Sequence, residues 1–159
     1  MNKLISAPGR IARRILPFSR RRKPGASTQA MPFFAVPASA IATLPDPSAF
    51  RQALLRLIGQ ATRRIVIVAL YLQDDDAGRE VLDALYAAKA RAPGLRITVF
   101  VDWHRAQRGL IGKQKSAGNA GMYREDAARL GPGVAIYGVP VQNRELFGVL
   151  HLKGFVIDD

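Results

Sequence analysis

The final nine residues of this 159-residue chain, HLKGFVIDD, hold its most reactive combination of side chains. His151 and Lys153 stand two apart, and Asp158 follows Lys153 after four intervening residues. On a β-strand, where side chains alternate, this spacing turns His151 and Lys153 to one side and places an imidazole and an ammonium in one pocket. Leu150, Leu152 and Val156 then turn the other way and anchor the strand in the core. A neutral imidazole is a competent nucleophile toward phosphorus, and a neighbouring ammonium can hold the non-bridging oxygens as charge redistributes in the transition state. Composition alone would yield about 0.004 such His-x-Lys-x4-Asp matches in the chain, so the spacing carries information; the competing reading is a His and a Lys at a strand end that merely face solvent.

The residues that are absent narrow the chemistry further. There is no cysteine, which excludes disulfides, thiolate ligands and cysteine nucleophiles and permits a reducing compartment. With two histidines in all, a zinc centre of three or four N/S ligands is not expected. Asp74, Asp75 and Asp76 could form a divalent-cation cluster, but acids just before a helix are favoured by its dipole, and that reading is preferred. His104, Arg105 and Arg108 follow a predicted strand, at the kind of loop where α/β sheets build ligand sites, and the two arginines there suit charge-assisted hydrogen bonds to an anionic ligand. The alternative for them is a solvated loop with a helix-capping role, and direct catalysis by His104 is not expected. Trp103 and Tyr71 could stack on a base, although single aromatics near strand ends more often belong to core or rim. Gly109, Gly112, Gly118 and Gly121 lie in a Gly, Lys and Ser-rich loop without P-loop spacing, which predicts flexibility and no nucleotide cradle.

The elements that must position these groups are punctuated regularly. Asp46 as N-cap, with Pro47 at the first helical position, opens a helix through about Gly59 whose Phe50, Leu54, Leu57 and Ile58 share one face. Residues 64–72, RIVIVALYL, form a continuous β-branched apolar run, which predicts a strand covered on both sides. A helix over 77–91 turns Val81, Leu82, Leu85 and Ala88 inward and stops before Pro93-Gly94. Strands are predicted at 95–102, 134–139 and 149–158, and a helix at 121–130. Alternating strands and helices specify an α/β layered domain.

Charge is distributed unevenly. Residues 1–23 carry eight Lys and Arg and no acid, which leaves +4 of the total +12 for the rest of the chain. This segment lacks the long apolar core of a secretory signal, and Pro8-Gly9 interrupts it. A short helix over 10–18 would group Ile11, Ile15 and Phe18 with Arg10, Arg13 and Arg14 around them, suited to an anionic membrane surface. At even weight stands a solvated basic tail that binds any polyanion, RNA or ribosome included. Residues 24–45 are uncharged over a length that could span a bilayer, but Pro24, Pro32, Pro37 and Pro45 make a linker the expected reading. Met31 within it is a second candidate start. Residues 1–40 are therefore expected to be a disordered basic tail and Pro-rich linker, and 41–159 the folded part.

The His151, Lys153 and Asp158 spacing resembles the signature of the phospholipase D superfamily. IVALYLQDDDAG at 67–78, VDWHRAQRG at 101–109 and YGVPVQNRELFGVLHLKGFVIDD at 137–159 extend the resemblance over about residues 41–159, toward the bacterial phospholipase D-type phosphatidylserine synthases. The resemblance implies an α/β sheet flanked by helices that is the first of two related halves. It implies transfer of a phosphatidyl group from CDP-diacylglycerol to L-serine at a membrane surface, without metal or other cofactor, by a cytoplasmic enzyme peripherally associated with the inner membrane. One motif histidine forms a phosphatidyl-histidine intermediate and the other serves as acid and base, so His151 would take one of these roles and Lys153 would bind phosphate. His104, Arg105 and Arg108 would then hold the CDP pyrophosphate. Asp158 completes the motif, and its alternation opposite His151 suggests support of the structure.

The family pattern has two such motifs and a phosphate-binding strand after each, whereas one motif is present here and the chain stops at Asp159. The expectation is the N-terminal half of a longer enzyme, truncated after the first motif, inactive alone, and exposing the surface that faces the missing C-terminal half. Two alternatives remain at this point. One is another phospholipase D-like enzyme, a cardiolipin synthase or a nuclease, though a nuclease should line its catalytic face with more basic residues than a +4 body offers. The other is a non-catalytic membrane- or ribosome-binding module docked by its tail.

Overall fold

Asp46 has an extended backbone and its carboxylate accepts a hydrogen bond from the Ala49 amide at 2.8 Å, so the first helix starts where the sequence signals it. The computed structural model describes residues 2–3, 34–108, 118–141 and 150–158. They form β1 (Asn2–Lys3), α1 (Pro47–Gln60), β2 (Arg64–Val68), α2 (Asp76–Arg91), β3 (Arg96–Asp102), the short α3 (Trp103–Ala106), α4 (Asn119–Leu130), β4 (Val134–Val139) and β5 (Gly154–Ile157), with a 3-10 turn at Ala38–Ala40. Within the stretch expected to be a disordered tail and linker, Asn2–Lys3 thus pairs with β4, while the helix predicted over 10–18 lies outside the described residues.

The sheet runs in the order β1-β4-β3-β2-β5. Strands β2, β3 and β4 are parallel neighbours, and β5 and β1 close the two sides antiparallel to β2 and β4. Register aligns Ile65 with Ile97 and Val134, and Ile67 with Val99 and Ile136, in two buried rows on one face. Leu54 and Ile58 of α1, Leu82 and Leu85 of α2, and Met122 and Tyr123 of α4 complete this core. Both parallel crossovers step the same way across the sheet, and right-handed connections then put α2 and α4 on the same face. Ion pairs cross that layer, from Arg51 of α1 to Glu80 of α2 and from Arg129 of α4 to Asp83 of α2.

The continuous apolar run of 64–72 predicted cover on both sides, but along β2 fully buried residues alternate with half-buried ones. The half-buried face carries Val66, Val68, Phe100 and Tyr137, the last two with rings stacked at 5.8 Å. Two strands are also shorter than predicted. The 64–72 strand ends at Val68, because the backbone of Leu72 is captured by a side chain of α4, although Ala69 and Leu70 still bond to β3. The 149–158 strand is reduced to Gly154–Ile157, because β2 offers β5 a ladder only as far as Val68, opposite Gly154. On α1, Leu54 and Ile58 are buried as their spacing predicts, while Phe50 and Leu57 remain exposed over an apolar groove of about 250 Å³ shared with Leu44, Phe155 and Ile157.

Gly138 on β4 is required by a close approach. A Cβ there would lie 2.3 Å from the indole of Trp103, so the ring rests directly on the strand backbone. Gly138→Ala should force the chain's single tryptophan off the sheet and cost about 1–3 kcal/mol of stability, as overpacking generally does. The checks are denaturant unfolding and a change in the Trp103 emission spectrum.

Candidate functional site at the C-terminal edge of the sheet

Strands β2, β3 and β4 all end at the same edge, where the chain leaves the ladder at Val68, Asp102 and Val139. Backbone groups leaving a ladder need new partners, and buried polar side chains supply them. Tyr123 of α4 is fully buried; its hydroxyl donates to the Leu72 carbonyl at 2.7 Å and accepts from the Leu72 amide at 2.8 Å. Burial pushes the ionisation of this phenol well above the usual tyrosine range. Asn119, also buried, accepts from the Asp74 amide at 2.9 Å and reaches the Arg108 carbonyl at 3.5 Å. Its neighbour Gly118 has φ 68°, and a Cβ there would meet the Gln107 carbonyl at 2.6 Å, so only glycine brings α4 this close to the segment after α3.

Asp102 joins two of the segments that carry candidate residues. It is completely buried at the end of β3; Oδ1 accepts from the Arg105 amide at 2.8 Å, capping α3, and Oδ2 accepts from the Leu150 amide at 2.9 Å. Residues 150–153 therefore start at the end of β3 and reach β5 on the far side of β2. His151 and Lys153 lie in this crossing segment and not on a strand, so alternation is not what places them. Both are exposed, and the Lys153 ammonium turns back to donate to the His151 carbonyl at 3.2 Å. The anchoring role predicted for Leu152 and Val156 is not found: they are 63% and 43% exposed, and the Leu150 amide makes the attachment instead.

Asp158 lies at the other edge. Strand β5 runs antiparallel to β2, so its four residues carry the chain from the Val68 end back to the Arg64 end, about 13 Å at the usual strand rise. There the Asp158 carboxylate accepts from the Thr62 amide and hydroxyl, the Arg63 amide and the Arg64 amide, all at 2.8–3.0 Å. Its own amide donates to the Arg64 carbonyl, and its φ of 56° is one that aspartate tolerates better than most residues.

Among the other candidates, His104 and Arg108 are exposed and Arg105 half-buried on and beside α3, at the same edge as His151 and Lys153. Trp103 packs against the core and Gly138, which places it with the core and rim aromatics. The three acids are divided among separate tasks: Asp75 caps α2 through the Gly78 amide, Asp76 opens its first turn, and Asp74 pairs with Arg79. Among the described residues no group of three or more His, Asp or Glu could hold a metal ion, and no helix is long and apolar enough to cross a membrane. Gly109 and Gly112 lie outside the described residues. The linking residues Asp102, Asn119 and Tyr123 escaped the sequence reading. Their signal was present but weak, a carboxylate closing an apolar strand and two hydrogen-bonding side chains on the inner face of a helix.

Backbone amides hold the Asp158 carboxyl well below the usual carboxylate range, the amide of Arg64 contributing most, then those of Arg63 and Thr62. A depressed folded-state value means that the unfolded chain binds the proton more readily, so stability rises with pH through this window. The Asp158 contribution should be complete above the unfolded value of about 4 and be lost progressively as the pH falls below it. Asp158→Asn should lower the melting temperature at neutral pH and flatten its decline in acid, as measured by thermal unfolding from pH 7 to pH 2.

No protein-family model matches the chain. It is 54% identical over 114 residues to the CDP-diacylglycerol–serine O-phosphatidyltransferase PssA of Escherichia coli (strain K12), a match covering 71% of this chain and 25% of the relative. It is 45% identical over 133 residues to the CDP-diacylglycerol–serine O-phosphatidyltransferase of Haemophilus influenzae, covering 81% and 29%. The crystal structure of phosphatidylserine synthase from Haemophilus influenzae Rd KW20 superposes with a TM-score of 0.63 at 46% identity, over 69% of this chain and 25% of that one. The chain thus spans between a quarter and a third of the length of the curated relatives it matches. By sequence and by fold the chain is similar to one segment of these longer phosphatidylserine synthases.

Proposed function

We propose that this chain supplies one half of the catalytic centre of a phosphatidylserine synthase, transferring the phosphatidyl group of CDP-diacylglycerol to L-serine. The observation that carries this reading is the 45–54% identity to two relatives bearing that name over most of the chain. The geometry supports it, since His151, Lys153, His104, Arg105 and Arg108 all belong to segments at one edge of the sheet.

In this reading one imidazole attacks the phosphorus, a P–N bond forms, and the P–O bond to CMP breaks as a second imidazole protonates the leaving oxygen. That second imidazole then takes the proton of the serine hydroxyl, whose oxygen displaces the first and releases phosphatidylserine. His151 fills one of the two roles, and the remainder of the protein supplies the other. Lys153 holds the non-bridging oxygens while they carry the greatest charge. Arg105 and Arg108, with His104, bind the pyrophosphate of the substrate before transfer. Asp158 fastens the strand that follows His151 and Lys153 to the start of β2. The basic residues of 1–23 hold the enzyme at the anionic cytoplasmic face of the inner membrane, where its lipid substrate lies.

The test is transfer from CDP-diacylglycerol in mixed micelles to labelled L-serine by the intact enzyme that contains this chain. His151→Ala should reduce phosphatidylserine formation at least about 100-fold. Activity that survives this substitution would overturn the assignment.

A further inference from the structure

The buried carboxylate of Asp102 has no part in the proposed transfer. Asp102 is completely buried at the end of β3, where an apolar side chain would avoid the desolvation cost of a carboxylate. Capping the four-residue α3 needs only one acceptor, which Ser, Thr or Asn would provide. A carboxylate differs in offering two acceptor oxygens and no donor. Both are used here, and by different segments: Oδ1 by the Arg105 amide and Oδ2 by the Leu150 amide.

The second contact matters because register cannot place His151. The ladder between β2 and β5 begins at Gly154, beyond His151 and Lys153. The Leu150 amide, directly before His151, is attached to the end of β3 through Asp102. One side chain therefore sets the distance between the segment of His104 and Arg105 and the segment of His151 and Lys153.

We infer that Asp102 is a positioning residue for phosphoryl transfer, holding the His151 and Lys153 segment at a set distance from the pyrophosphate-binding segment through its two backbone contacts. This rests on the proposed reading of the site and adds a residue that touches neither substrate nor reacting atom.

Asparagine separates the two contacts. Asp102→Asn keeps one acceptor, and Asn is a good helix N-cap, so the Arg105 bond persists while the carboxamide NH₂ confronts the Leu150 amide. In the intact enzyme kcat should fall about 100-fold, the scale of a displacement near 1 Å at a reacting group. KM for CDP-diacylglycerol should change less than about threefold, since the substrate-binding segment stays capped. Asp102→Ala loses both bonds and should lower kcat and raise KM together. Amide hydrogen exchange should show Leu150 losing protection in Asp102→Asn while Arg105, Val99 and Ile136 keep theirs. An unchanged kcat overturns the inference, and so does loss of protection at Val99 and Ile136 in step with kcat, which marks a purely structural role. If Asp102→Asn is fully active while His151→Ala is inactive, this inference fails alone. If His151→Ala retains transfer, the reading of the site fails, and Leu150 exchange still reports whether Asp102 holds its segment.

Discussion

A parallel sheet delivers its strands to a single edge, and the polar backbone leaving each strand must be satisfied there without a neighbouring ladder. In this chain that requirement is met by side chains. Tyr123 takes both polar groups of Leu72, Asn119 takes the Asp74 amide, and Asp102 takes the amides of Arg105 and Leu150. These residues are buried, so their bonds form in a medium where an unmatched partner is expensive. Leu72, Asp74, Arg105 and Leu150 are thereby tied to the core, which is what a reaction centre assembled from separate segments needs.

The segment with His151 and Lys153 is held at both ends by carboxylates of opposite character. Asp102 is inside the protein and grips the segment from the front, at the C-terminal edge of the parallel strands. Asp158 is near the surface and fastens the far end of β5 to Thr62, Arg63 and Arg64 at the other edge. Between them β5 is an outer strand, with Phe155 and Val156 left exposed and Phe155 meeting Phe50 edge to face at 5.4 Å. The strand is therefore located by its ends and by its ladder to β2 more than by burial of its side chains.

The layered α/β class and the order of helices and strands were legible because they depend on local rules. Asp46-Pro47 marks a helix start through capping, the acids before α2 suit its dipole, and Leu82, Leu85 and Ala88 turn inward at helical spacing. The candidate residues could be found for the same reason, since side-chain type and spacing are chemical information. The errors fell where an outcome depended on a distant partner. Nothing local in 69–72 reveals that a tyrosine of α4 will take the backbone of Leu72, or in 149–153 that β2 will already have ended.

What the amino-acid sequence determined alone is the inventory, meaning which groups could attack phosphorus, bind its oxygens or cap a helix, and the elements between them. The tertiary structure decided how far each element extends and which loops share an edge. It also moved His151 and Lys153 from a strand face to a crossing segment tied to Asp102. The physical reason is that periodicity and capping act within a few residues. Satisfaction of a buried backbone group is settled by whichever part of the chain arrives beside it, here 48 residues away between Asp102 and Leu150 and 51 between Leu72 and Tyr123.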